Sequence, residues 1–211
     1  MKLKEIKKNY SMIYSLGLNC APSNHLRYRG LRPFAGVLDW MISPSLADVN
    51  RLLANRFVNF MELENLTFSS YYDNDSKLLI KDNYYNIYSA HDFKTDKNTP
   101  DSLSCYPEVK EKYKRRIGRF LREMETSESI LFIRLGGSYD EAVELQRVLD
   151  SLVKHNYCVL LISDSNSSTM IEENWGLDHI CVLNCHISKI MWDNYELWSS
   201  LLSGIGISRP Q

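Results

Sequence analysis

Cys20 stands in Tyr14-Ser15-Leu16-Gly17-Leu18-Asn19-Cys20, at the junction of a short apolar stretch and a helical one. Met12-Ile13-Tyr14 has the character of a buried strand. Gly17 and Asn19 are turn formers. Ala21 to Arg27 reads as the first turns of a helix, with Pro22 near its start, where a missing N–H costs nothing. A thiol in that position faces unpaired backbone N–H groups and the positive end of the helix dipole. Both favour thiolate over thiol, which predicts a Cys20 pKa below the free value of about 8.5. The competing reading makes Cys20 a small buried hydrophobe, as most free cysteines are.

A nucleophilic thiol needs an imidazole within hydrogen-bond reach, a group that orients it, and N–H donors for the oxyanion. Of the five histidines, His25 lies on the helix that follows Cys20 and reads as a surface residue or helix partner. His155 closes a helix beside Lys154, and His179 and His186 flank a strand near the C-terminus. His91 is the best candidate base, because it follows an aromatic-rich strand and is followed directly by Asp92. Adjacent strand residues point to opposite faces, so Asp92 orients His91 only if the chain turns there. Asp39, in Leu38-Asp39-Trp40, is the alternative third member, as is a backbone carbonyl. Asn19 and the N–H of Cys20 are the natural oxyanion donors at the mouth of the helix. Ser15, Gly17, Trp40 and Arg134 are further candidate substrate contacts.

Arg134 is unusual within the otherwise apolar Ile130–Leu135 strand. A buried guanidinium calls for a carboxylate or a substrate anion, and structural pairing is the simpler use. Cys181-x3-Cys185-His186 has metal-ligand residue types but lacks a second pair, and its alternation suits a core strand face. Gly136-Gly137-Ser138 lacks the phosphate-loop spacings and reads as a tight turn. No metal and no cofactor is expected.

The elements that must position these residues follow from periodicity. Residues 44 to 65 read as a helix with Ser43 as its cap. Leu78-Leu79-Ile80 and Tyr84 to Tyr88 read as a hairpin across Lys81-Asp82-Asn83. A charged helix runs from Pro107 to about Ser127. The last third alternates: strand 130–135, helix 139–154, strand 159–163, strand 180–183 and helix 190–203. This pattern predicts a single α/β domain over 1–211, with a Cys20 half (11–93) and an α/β half (108–205). Its sheet is expected to be mostly parallel, covered by helices, with an inserted antiparallel hairpin.

The 211 residues hold 44% hydrophobic and 24% charged residues with net charge −1. That balance gives no electrostatic case for a nucleic-acid or membrane-surface partner. The Lys-rich opening lacks the apolar core of a signal peptide, and no run has the length of a membrane span. Five irregularly spaced cysteines fit a reducing compartment, which places the protein in the cytoplasm.

Taken together, Ser15-Leu16-Gly17-Leu18-Asn19-Cys20, Leu38-Asp39-Trp40-Met41 and His91-Asp92-Phe93 resemble a bacterial family described as papain-like cysteine peptidases. The family shows an SLGxxC start, a PFDW-like segment and an HDF element; here Gly36-Val37-Leu38-Asp39-Trp40 stands at the second without its proline and phenylalanine. The resemblance implies a Cys20 nucleophile and a His91 base. Papain-like enzymes carry the histidine on a sheet leading directly to an Asn or Asp, whereas this C-terminal third reads as a parallel α/β unit.

Three functions follow. The leading one is a thiol-dependent acyl-transfer enzyme, a peptidase or amidase acting on a peptide, amide or acyl substrate. The second is an SGNH-like α/β hydrolase or acyltransferase that uses Cys20. The third is a non-catalytic α/β ligand-binding module.

Overall fold

The computed structural model describes residues 1–167, 169–190 and 194–208. A first short helix, α1 (Leu3–Ile6), leads to β1 (Asn9–Tyr10), β2 (Met12–Ser15) and α2 (Ala21–Tyr28). After an irregular loop come β3 (Met41–Ile42), α3 (Leu46–Ala54), β4 (Leu66–Tyr72), β5 (Lys77–Asp82) and β6 (Ile87–Lys94). The remainder is α4 (Tyr106–Thr126), β7 (Ser129–Leu135), α5 (Tyr139–Leu152), β8 (Asn156–Asp164), β9 (Ile171–Glu173), β10 (Ile180–Cys185), α6 (Tyr195–Leu202) and β11 (Gly206–Ile207).

The central sheet has the order β2-β7-β8-β10-β9. Its first four strands are parallel and β9 is antiparallel. Alternation along β7 explains how both of its faces are filled. Ile130 and Phe132 join α3, α4, α5 and the second sheet on one side. Leu131, Ile133 and Leu135 pack with Ile6, Ala21, Leu26, Trp198 and Leu201 on the other. The first of these cores takes side chains from both the Cys20 half and the α/β half.

A second sheet, β3-β6-β5-β4, is wholly antiparallel. The sheets are therefore mixed, rather than one mostly parallel sheet with a hairpin inserted. The sequence hid the difference for two reasons. β4 has every residue exposed or half-buried, and Thr67-Phe68-Ser69-Ser70 carries no clean apolar alternation, while β3 has only two residues.

The helix expected over 44–65 stops at Ala54. Arg56, Phe57, Asn59 and Met61 all take left-handed backbone there. Phe57 and Phe60 still reach the core, but through turns rather than helical periodicity. Ser45, not Ser43, caps α3, its Oγ accepting from the Asp48 N–H. The last helix begins at Tyr195, and the part of the expected 190–203 span at Met191–Asp193 lies outside the described residues.

Candidate active site

β2 ends at Ser15 against β7, and the chain must then reverse into α2 within five residues. Gly17 (φ +86°) and Leu18 (φ +73°) both take left-handed backbone to do so. Glycine adopts that region freely; for leucine it is strained. Two bonds hold Leu18 there: its N–H donates to Ser43 Oγ at 3.2 Å, and its carbonyl accepts from the Ser43 N–H at 2.9 Å. A Cβ on Gly17 would collide with Ser43 Oγ. Gly17→Ala is therefore expected to lower stability by about 1–3 kcal/mol, read by urea unfolding. An unchanged midpoint would contradict this account of the turn.

Asn19 Oδ1 accepts from the Ala21 N–H at 2.9 Å, which starts the helix and leaves Cys20 as its N-cap. Ser23 Oγ donates to the carbonyls of both Cys20 and Asp39, tying the first helical turn to the 32–39 loop.

His91 is delivered by an irregularity in the second sheet. Between the Ile80–Ser89 and Leu78–Phe93 pairs, Leu79 of β5 faces Ala90, His91 and Asp92 of β6. Such a bulge kinks the strand and re-aims its side chains. His91 Nε2 thereby comes to 3.3 Å from Cys20 Sγ. The ring is bounded edge-to-face by Trp40 at 5.4 Å and Tyr72 at 5.9 Å. The Arg32 guanidinium covers the Trp40 indole at 5.1 Å. Nδ1 of His91 has no hydrogen-bond partner among the described residues.

The electrostatics differ from the sequence expectation. Burial pushes the Cys20 thiol up, to about 11, with Asp39 adding to the rise and Cys20's own N–H and Lys77 opposing it. Burial lowers His91, as does Lys77, while Asp92 and Asp73 pull it back. Desolvation outweighs the helix N-terminus because Cys20 is only 1% exposed. Both shifts favour the uncharged forms, thiol at Cys20 and neutral imidazole at His91. Because His91 stays neutral to lower pH than an ordinary histidine, the acid limb of Cys20 reactivity is expected below about pH 6.5. A limb above that value in a pH–rate profile would contradict the assignment.

The other residues singled out by sequence fall in two groups. Asp92 faces away from the imidazole, as strand geometry demands: its carboxylate takes hydrogen bonds from Ser89 Oγ and Tyr113 OH at 2.6 Å each and pairs with Lys112. Asp39, also buried, accepts from Arg32 and from the Gly36 N–H, closing the loop that ends in Trp40. Neither carboxylate reaches His91.

Ser15 Oγ accepts from the Gly17 N–H and so shapes the turn. Arg134 is completely buried and has no carboxylate partner within ion-pair distance among the described residues. Its guanidinium instead binds backbone and hydroxyl oxygens around the turn. His25 is 2% exposed, not a surface residue, and stacks on Trp198 at 4.8 Å. Cys181 and Cys185 point into the core beside Leu183.

Sequence reasoning missed Ser43, Tyr72 and Lys77. Ser43 looked like a helix cap because Pro44 follows it. Nothing in the order of residues marked the β4–β5 tip, where Lys77 pairs with Asp73, as a neighbour of Cys20.

A family model described as "Putative papain-like cysteine peptidase (DUF1796)" matches residues 11–166. That span covers well over half of the 211 residues and includes Cys20, His91 and Arg134. No curated protein and no solved structure matches the chain.

Proposed function

The chain belongs to the family so described, and on that premise we propose that it is a thiol-dependent acyl-transfer enzyme acting on peptide or amide bonds. The observation that carries this reading is the 3.3 Å contact between Cys20 Sγ and His91 Nε2, made across 71 positions of sequence. No local packing need brings a thiol and an imidazole together at the end of a strand, beside a strained turn and a bulge. Strained backbone of this kind persists where the surrounding fold over-determines it, and it concentrates at functional sites.

In the proposed reaction His91 Nε2 takes the thiol proton as Sγ bonds to the carbonyl carbon. The Cys20 N–H, at the start of α2, is the candidate donor to the oxyanion. The imidazolium then protonates the departing amine as the C–N bond breaks, leaving a thioester on Cys20. Water, deprotonated by Nε2, releases the acid and restores the thiol; an amine acceptor would give transfer by the same route. Trp40 and Tyr72, packed edge-to-face against the ring, restrict its rotation. With no partner for Nδ1 among the described residues, aromatic packing takes the orienting role that a carboxylate has in a triad. Asn19 supports the start of α2 through its capping bond. Five free cysteines support a reducing compartment, and we place the enzyme in the cytoplasm.

An aryl ester of an N-acyl amino acid tests the reading. The expected result is acyl mass on the Cys20 peptide after acid quench, with faster release of the acyl group when a primary amine is added or the pH is raised. Acyl mass spread evenly over Cys20, Cys105 and lysines would contradict it.

A further inference from the structure

We propose that Arg134 is a positioning residue: its guanidinium fixes the turn that sets Cys20 Sγ against His91 Nε2. The inference rests on the reading of Cys20 and His91 as the reacting pair. Arg134 makes four hydrogen bonds, all to uncharged acceptors. Nε donates to Gly136 O at 3.1 Å, Nη1 to Leu16 O at 2.9 Å and to Ser43 Oγ at 2.8 Å, and Nη2 to Ser43 O at 2.9 Å. Three segments converge on this one group: the end of β2, the residue after β3, and the turn after β7.

A buried cation with no carboxylate beside it carries a large desolvation cost. Burial lowers its pKa to about 10, with Glu141 opposing, so it remains charged at neutral pH. An apolar residue in β7 would fill the space without that cost. What an apolar residue cannot supply is a planar fork of five donors, and lysine supplies only a single point.

The bonds continue to the nucleophile. Ser43, held by Arg134 at both Oγ and carbonyl, donates its N–H to Leu18 O and receives the Leu18 N–H on Oγ. Leu18, in backbone a leucine avoids, lies two residues before Cys20. Without the guanidinium, Ser43 and Leu16 O lose their anchors and Leu18 is free to relax, which moves Asn19 and Cys20. Displacements of about 1 Å in a reacting group cost roughly 100-fold in rate.

A double-mutant cycle separates positioning from folding. The reading is the iodoacetamide alkylation rate at Cys20, by peptide mass spectrometry, relative to Cys105 in the same molecule, well below each variant's melting temperature. The variants are Arg134→Met, Arg134→Lys, His91→Ala and the double Arg134→Met/His91→Ala. Arg134→Met is expected to slow Cys20 roughly 10- to 100-fold, with Arg134→Lys restoring little. In the His91→Ala background the same substitution should have almost no further effect, because the geometry it disturbs is already unused.

Equal effects of Arg134→Met with and without His91 would overturn the proposal, as would an unchanged Cys20 rate in the folded variant. If Arg134→Met does not fold, Ser43→Ala removes the shared hydroxyl alone. The same cycle with that variant should give a several-fold, His91-dependent loss, and an additive loss overturns the proposal. If His91→Ala itself leaves the Cys20 rate unchanged, the proposed function fails, which is a different result from additivity.

Discussion

Cys20→Ser and His91→Ala are each expected to reduce turnover of an acyl substrate by about 10³-fold, while leaving the unfolding midpoint close to wild type. The magnitude follows from the roles. A positioned general base contributes about 10²–10⁴-fold, and removing any one member of a nucleophile–base unit costs nearly as much as removing all of it. Serine at position 20 keeps the volume within an atom, but its hydroxyl is a far weaker acid than the thiol. His91 lies 3.3 Å from the sulfur and has no second hydrogen-bonded role among the described residues, so its loss breaks no other hydrogen bond of the fold. Turnover and urea unfolding measured on the same preparations check both halves. A His91→Ala enzyme with near wild-type turnover would remove the imidazole from the mechanism.

Asp92→Ala is expected to destabilise the fold by about 3–5 kcal/mol. The carboxylate, 5% exposed, is the acceptor for Ser89 Oγ and Tyr113 OH and the counter-charge of Lys112. Its removal strands a fully buried tyrosine hydroxyl and a serine hydroxyl. Burial pushes Asp92 up, but Lys112, Ser89 and Tyr113 together hold it below the usual carboxylate value. The stability it gives is therefore complete above the unfolded carboxyl pKa of about 3.9 and is lost as pH falls through the lower folded value. Asp92→Asn should flatten that acid limb of the unfolding curve. As the partner of an imidazole, Asp92 would behave otherwise: its asparagine variant would lose about 10⁴-fold in kcat at little cost in stability. Urea unfolding between pH 2 and 7, with kcat at pH 7, distinguishes the two.

What the sequence made legible was local. Gly17, Asn19 and Pro22 mark a strand, a turn and a helix start, and β2, the turn and α2 lie where those residues put them. The alternation of apolar runs in the last third likewise marks β7, α5, β8 and β10. Illegible were features set by pairing between distant segments. The bulge that aims His91 exists only as a mismatch in register between β5 and β6. The Ser43–Leu18 bonds join residues 25 positions apart. Arg134 looked like half of an ion pair because burial usually demands a carboxylate; here backbone carbonyls from three loops take its place. The thiol's acidity was misjudged for a related reason. A helix N-terminus can be read from sequence, whereas the burial of the cysteine sulfur cannot.

The central claim is that His91 makes Cys20 a nucleophile. The most direct measurement is the pH dependence of iodoacetamide alkylation at Cys20 and Cys105, in wild type and His91→Ala. The account predicts that Cys20 outpaces Cys105 near neutral pH despite its burial, with an acid limb below about pH 6.5. His91→Ala should abolish that advantage, leaving only a slow rate that climbs towards the thiol's own titration near 11. Equal rates at Cys20 and Cys105, or a Cys20 profile untouched by His91→Ala, would contradict it.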